Sequence, residues 1–229
     1  MEKKEFSIRE AIRFGWDRMR ENLAFFIIFL LVSWLVNLFF GTFADLFEKR
    51  LPAFSLLFSL GSILASFLIS YISIRVALNV CDGVALNVSE LFQFPLSRLL
   101  RFILGNILYM LLVLAGFVLL IVPGLIWMIK YQYVPYLIVD KDSPIGEAFS
   151  ESGRITSGVK WPLFWFAILL GLINIAGALV FVVGLFATIP TTMIAIAYVY
   201  RKLSSGSESP VGLTTSENNN PFAAPGITA

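Results

Sequence analysis

Lys130 is the residue of this chain most able to support chemistry, because it is the only charged residue in the apolar run 102–139. A charge inside a membrane span is costly and marks a functional site by default. The lysine follows Pro123-Gly124 by six residues, which places it about 9 Å from the outer end of its span. We interpret it first as a structural residue that snorkels outward or pairs with Asp45 or Glu48. The alternative is a residue that binds a substrate.

Uncharged polar side chains form a second set of candidates. Asn37 and Asn174 lie in two other uncharged runs, and serines recur in steps of three and four along the run 51–74. The serine stripe favours close packing of one helix on another, and the alternative is a polar permeation path. We therefore predict Lys130, Asn37 and Asn174 as the polar residues inside the membrane.

The composition argues against an enzyme. The chain has no histidine, and Cys81 is its only cysteine, which removes the commonest general base, the thiolate metal sites and any disulfide within the chain. A serine–lysine pair between Lys130 and a serine of the run 51–74 is conceivable, but nothing local positions it. We predict no catalytic residue, no metal ligand and no cofactor. A net charge of +2 gives no reason to expect nucleic acid as a partner.

The overall composition predicts an all-α integral membrane protein. Hydrophobic residues make up 58% of 229 residues and the mean hydropathy is +0.85, well above the values of soluble domains. Several uncharged runs are long enough to cross a hydrocarbon core of about 30 Å. They predict six spans arranged as three hairpins. The predicted spans are 23–44, 51–74, 102–122, 124–139, 161–183 and 185–200.

The distribution of basic residues predicts the orientation. Fifteen lysines and arginines fall on one side of the six predicted spans, and only Lys49 and Arg50 fall on the other. Basic residues concentrate on the cytoplasmic side of membrane proteins. Both termini are therefore expected in the cytoplasm.

Prolines and glycines predict where the spans turn or bend. Pro123 and Gly124 predict the outer turn between spans three and four. Pro162 suits the first turn of span five, and Pro190 is expected to kink span six. The polar tail 204–229 is predicted to be disordered and cytoplasmic, which leaves residues 1–203 as one membrane domain.

Short amphipathic helices are expected on the cytoplasmic side before the odd-numbered spans. Residues 6–21 show the helical period, with Ser7 and Glu10 as a capping box. Residues 143–157 form a second such segment, and 89–94 a weaker one. The first segment either lies in the headgroup region or packs on the protein. The candidate contacts with anionic lipid headgroups are Arg9, Arg13, Arg18, Arg20 and Arg154.

A repeat is suggested at an offset of 137 residues. The pair Glu10-Ala11 recurs as Glu147-Ala148, and Asn37 recurs as Asn174. These matches favour three modules, each an interfacial segment followed by a hairpin.

Three stretches of the chain carry a family resemblance. They are PGLIWMIKYQYVPYLIVDKDSPIGEAFSESGRITSG, KWPLFWFAILLGL and GLFATIPTTMIAIAYVYRKL. Together they resemble the six-span membrane domain found ahead of the catalytic domain in some bacterial glycerophosphoryl diester phosphodiesterases, and related stand-alone membrane proteins. The resemblance covers roughly residues 1–203 and implies a bacterial cytoplasmic (inner) membrane location. It does not imply phosphodiesterase activity, because no phosphodiesterase domain is expected in these residues.

Two functions remain open. The first is a non-catalytic membrane scaffold or lipid-interacting domain that uses the arginine-bearing segments. The second is a transporter or channel for a small or lipidic substrate, with Lys130 and the two asparagines lining a cavity. The scarcity of charge inside the spans argues against ion coupling, so we favour the first. The expected partners are membrane lipids, and further candidates are other membrane proteins or a second copy of the chain.

Overall fold

The chain folds into helices joined by short connections. The computed structural model describes residues 6–49, 51–180 and 183–205, and all regular structure in these ranges is helical. The helices are α1 (Ile8–Glu21), α2 (Leu23–Glu48), α3 (Pro52–Cys81), α4 (Val88–Leu91), α5 (Leu96–Leu119), α6 (Ile121–Tyr131), α7 (Val134–Lys141), α8 (Ile145–Ile155), α9 (Lys160–Leu179) and α10 (Leu185–Ser205). Within the described ranges, α2, α3, α5 and α9 are long and apolar enough to cross a membrane.

Large apolar side chains are exposed along these four helices. Trp34, Leu57, Met110 and Trp165 are each more than half exposed. Such a surface is unfavourable in water and is stable against lipid hydrocarbon. The buried side chains lie instead near the C-terminal ends of α3 and α10 and in α7. The helices therefore pack together around α7 and the C-terminal ends of α3 and α10, a region that we call the base. The exposed apolar segments of α2, α3, α5 and α9 extend from it.

The helices form three hairpins in chain order: α2 with α3, α5 with α6 and α7, and α9 with α10. The three return helices pack on one another, α3 on both α7 and α10, and α7 on α10 through the rings of Tyr136 and Tyr200. Each outgoing helix also contacts the return helix of the preceding hairpin: α5 contacts α3, α9 contacts α6, and α2 contacts α10. The arrangement is cyclic, with the third hairpin closing on the first.

The short helices before each hairpin follow the same cycle. Helix α4 packs on α3, α8 packs on α6 and α7, and α1 packs on α10. Helices α1 and α8 also meet their partners in a similar way. The backbone of Gly15 lies against the carbonyl of Thr191, whereas the hydroxyl of Ser152 donates to the carbonyl of Lys130 at 2.8 Å. Gly15 and Ser152 are 137 residues apart, so the predicted offset relates positions with equivalent contacts.

The turn between α5 and α6 lies at Leu120, so the turn predicted at Pro123-Gly124 is wrong by three residues. Leu120 has an extended backbone, with φ −165° and ψ 154°. Pro123 belongs to the first turn of α6, where proline is tolerated because the N–H it lacks would have no helical partner. Gly124 allows α6 to pack closely on α5, since a Cβ added to Gly116 of α5 would lie 2.8 Å from the Cα of Gly124.

The predicted span 124–139 is two helices rather than one. Helices α6 and α7 are separated by Gln132 and Tyr133. Pro135 lies in the first turn of α7. In a continuous helix it would lack the N–H that the Tyr131 carbonyl accepts, and its ring would clash with that carbonyl. The missing N–H and the ring of Pro135 therefore account for the break between α6 and α7.

Two other helices run beyond their predicted ends. Helix α2 continues through Asp45 to Glu48, and α3 continues past Arg75 to Cys81. Charged residues mark the limit of the hydrocarbon core, but they are good or tolerable helix formers and do not end a helix. The connection between α3 and α5 is accordingly shorter than the predicted spans 51–74 and 102–122 imply.

The C-terminal boundary also differs from the prediction. Ser204, the first residue of the predicted tail 204–229, lies in α10 and is 5% exposed. Residues 206–229 and Arg50, on which parts of the tail and turn predictions fall, lie outside the described residues.

An ion-pair network joins the three return helices at the base. Arg201 of α10 pairs with Asp82, which follows α3, at 2.6 Å and with Asp140 of α7 at 2.7 Å. Tyr200 donates a second hydrogen bond to Asp140 at 2.8 Å. These groups are partly shielded from solvent, so the pairs hold the base more strongly than exposed pairs would.

Candidate functional site

Lys130 lies in the last turn of α6 and packs against α8. With the turn at Leu120, it is ten residues along the helix, about 15 Å from the turn rather than the predicted 9 Å. Its side chain passes over Gly153, where an added Cβ would lie 3.0 Å from Lys130 Cε. Its Nζ lies 4.9 Å from the centre of the Tyr131 ring. The predicted pairing with Asp45 or Glu48 is not found among the described residues.

The backbone at Lys130 explains why α8 docks there. The break after α6 leaves the Lys130 carbonyl without its usual helical donor. Ser152 donates to it at 2.8 Å, and the Thr156 hydroxyl lies 3.2 Å away. Both hydroxyl residues are fully buried. A buried carbonyl needs a partner, so these contacts fix the register of α8 and position the lysine.

A basic cavity of about 600 Å³ lies beside this contact. Its polar lining comes from α6, α8 and the start of α9: Lys130, Ser150, Arg154, Ser157 and Lys160, with Tyr131 as an aromatic wall. Arg154 forms a two-point ion pair with Glu151 at 2.7 Å. Lys130 and Lys160 have no carboxylate within ion-pair distance among the described residues, so the cavity holds net positive charge. Two ammonium groups with nearby hydroxyls are suited to a phosphate or carboxylate.

An apolar groove of about 460 Å³ shares a wall with the basic cavity. It is lined by α6 residues Val122, Leu125 and Ile129 and by Trp161 and Phe164 of α9, and Lys160 lines both spaces. The lysine stem can cover apolar surface while its ammonium faces the polar side. The two spaces together match an amphiphile, with an anionic head by the lysines and a hydrocarbon chain between α6 and α9.

The chain matches no known family model, curated protein or solved structure. The resemblance to the phosphodiesterase membrane domains therefore stays a prediction, and function has to be argued from the site itself.

The two predicted asparagines lie inside hairpins and away from the cavity. The Asn37 carbonyl oxygen accepts from Ser66 of α3 at 3.2 Å, and the Asn174 amide donates to Thr192 of α10 at 3.3 Å. Each asparagine thus joins an outgoing helix to its own return helix. The shared role agrees with their offset of 137 residues, and neither lines the basic cavity.

The predicted serine stripe faces α2 in part. Ser66 bonds to α2 as described, and a Cβ added to Gly61 would lie 2.5 Å from the Phe40 ring. Ser73 instead bonds to the carbonyl of Ile69 in its own helix. The described contacts of the stripe are packing contacts.

The arginines of α1 lie along a helix that docks on α10. Ser7 accepts from the Glu10 N–H at 3.3 Å, but the Glu10 carboxylate turns to Lys202 at 3.0 Å rather than closing the predicted capping box. The arginines have different surroundings: Arg13 lies 3.8 Å from Asp17, Arg18 lies 2.7 Å from Glu21, and Arg9 and Arg20 have no ion pair among the described residues.

The remaining predicted prolines lie in helices. Pro162 is in the first turn of α9 and Pro190 is inside α10. Just before α10, Gly184 packs against Gly177 of α9.

Sequence reasoning found Lys130 and Arg154 but missed Lys160, Ser150 and Ser157. The sequence does offer a signal, because Ser157 and Lys160 flank Gly158 immediately before an apolar run. In the structure Gly158 has a φ of +83°, which favours glycine. The position of this segment beside Lys130 depends on tertiary packing.

Proposed function

We propose that this protein is a non-catalytic, six-span protein of the bacterial cytoplasmic membrane that binds anionic, phosphate-bearing lipid between α6, α8 and α9. Helix α10 and the pair α6–α7 complete the six spans. Both termini lie on the cytoplasmic side, as the distribution of basic residues favours.

The observation that carries this proposal is the junction of the basic cavity with the apolar groove at Lys160. Lys130 and Lys160 supply charge without a described counter-ion, and one wall of the groove belongs to α9, one of the apolar helices. A soluble anion would use the cavity alone, whereas a lipid uses both spaces. Because the apolar surfaces of these helices are exposed, a lipid in the surrounding membrane can reach the groove.

A transporter remains the second candidate, and the break between α6 and α7 favours it. Transporters place substrate and ion sites at such breaks, where unwound carbonyls coordinate the ion. Here the freed Lys130 carbonyl already accepts from Ser152. That carbonyl is therefore occupied, and lipid binding ranks first.

The test is lipid binding by protein purified in a mild detergent and followed by native mass spectrometry. Wild-type protein should retain phosphatidylglycerol and bind it more tightly than phosphatidylcholine with the same chains. Lys130→Gln with Lys160→Gln should weaken binding by about tenfold to a hundredfold, since a hydrogen bond to a charged group contributes about 1.5–3 kcal/mol.

The control is Lys49→Gln, which removes one lysine charge at the far end of α2 and should leave binding unchanged. Inorganic phosphate distinguishes a headgroup site from a lipid site, because it should bind far more weakly than the lipid. Equal affinity of the wild type and the double variant, or of the two lipids, would contradict the proposal.

A further inference from the structure

A second groove, of about 730 Å³, lies between α1 and the third hairpin. Its lining is apolar and comes from Ile8, Ile12 and Trp16 of α1, Leu169 and Ile173 of α9, and Thr191 of α10. Arg9 and Arg13 are its charged residues, one helical turn apart on α1. We refer to this space as the α1 groove.

The α1 groove is the counterpart of the basic cavity in the cyclic arrangement. The cavity lies where α8 meets the return helix α6, and the groove lies where α1 meets the return helix α10. The offset of 137 relates Ile12 to Phe149 and Trp16 to Gly153, and all four residues line their respective spaces. The same position in two modules therefore forms a cleft.

The third module position is occupied in part by Arg75. Helix α4 has only four residues, and the Arg75 guanidinium lies against it, donating to the carbonyls of Leu91 at 3.2 Å and Gln93 at 2.9 Å. The basic cavity and the α1 groove thus lie at equivalent positions in two modules, and they differ in their chemistry.

We propose that the α1 groove binds one acyl chain of a second anionic lipid, whose phosphate lies between Arg9 and Arg13. The charges support this occupant: Arg9 has no ion pair among the described residues, and Arg13 reaches Asp17 only at 3.8 Å with 82% of its side chain exposed. The α9 wall belongs to an apolar helix able to span a membrane, so the groove is open to hydrocarbon. Trp16, which is 43% exposed, would lie between the phosphate and the acyl chain of this lipid, as tryptophans at a membrane interface do.

The test uses the whole protein and phosphatidylglycerol with brominated chains, which quench tryptophan fluorescence on contact. Arg9→Gln with Arg13→Gln should lower the affinity of one lipid by at least about tenfold, the loss expected for a charge-assisted contact. Leu169→Trp fills the groove from the α9 side, leaves both arginines in place and should also exclude that lipid. Arg20→Gln on the same helix, outside the groove, should bind as the wild type does.

Three results would overturn the inference. They are unchanged binding in the Arg9/Arg13 double variant or in Leu169→Trp, equal binding of phosphatidylcholine, and binding of glycerol 3-phosphate as tight as that of the lipid. The inference is independent of the lysine cavity. A Lys130/Lys160 variant that still binds one lipid, lost on Arg9→Gln with Arg13→Gln, would support the α1 groove even if the cavity were empty.

Discussion

Replacement of Gly15 by alanine should detach α1 from α10. A Cβ at this position would lie 2.4 Å from the Thr191 carbonyl oxygen and 3.2 Å from the Ala195 backbone nitrogen. Both neighbours are backbone atoms in the middle of α10, so they cannot rotate away as a side chain can. The helices have to separate, and α1 is the element that closes the cycle of hairpins.

The expected magnitude follows from two opposing effects. Overpacking a well-packed site costs about 1–3 kcal/mol, and the short distance to backbone places Gly15→Ala at the upper end. Removal of glycine from a helix returns about 0.5–1 kcal/mol, which leaves a net loss of about 2 kcal/mol.

Gly41→Ala is the matched control. It lies inside α2, and its added Cβ would have no atom within 4 Å, so only the favourable helix term of about 0.5–1 kcal/mol remains. The assay is thermal unfolding in detergent, followed by circular dichroism, together with trypsin cleavage at the α1 arginines. Gly15→Ala should unfold earlier and be cleaved faster, whereas Gly41→Ala should do neither. Equal behaviour of the two variants would refute the docking of α1 on α10.

Three further predictions concern the cavity, the base and the pH dependence. Gly153→Ala should displace the cavity lysine by crowding its Cε and weaken phosphatidylglycerol binding without unfolding the protein, whereas Gly146→Ala, which has open space on the same helix, should not alter binding. Arg201→Gln should leave Asp140 without its cation and lower the free energy of unfolding by about 1–3 kcal/mol; an unchanged unfolding midpoint would show that the network contributes nothing. Hydrogen bonds from a tyrosine and a lysine of α10 hold the pKa of Glu10 below its ordinary value of 4.5. Because the folded-state pKa is depressed, this stabilisation is complete above pH 4.5 and is lost as pH falls through the lower folded value. Glu10→Gln should remove that part of the acid sensitivity in unfolding scans, and a variant with the wild-type acid profile would contradict the assignment.

Parts of the fold that depend on local chemistry could be predicted from the sequence. Ser7 accepts from the Glu10 N–H, and Pro162 lies in the first turn of α9, as their residue types favour. The breaks and turns between helices were harder to predict. Pro123 lies in the first turn of α6, whereas Pro135 separates α7 from α6, because the effect of a proline depends on whether a helix already precedes it.

The site could be predicted only in part. Lys130 was identifiable because it is an isolated charge in an apolar run. Its neighbours were not, since Gly153 and Lys160 approach it only when α8 docks on the broken end of α6. That docking depends on the Lys130 carbonyl, which the break between α6 and α7 leaves without a helical donor, and on the Ser152 hydroxyl that donates to it. The two residues are 22 positions apart, with no periodic pattern between them.

The most direct test of lipid binding is a cryo-EM map of the protein in nanodiscs that contain phosphatidylglycerol. The lipid-binding proposal predicts phosphate density within hydrogen-bonding distance of Lys130 Nζ and Lys160 Nζ, with chain density between Leu125 and Phe164. A continuous water-filled path that reaches Lys130 and crosses the membrane, with no lipid in the groove, would contradict it and favour transport.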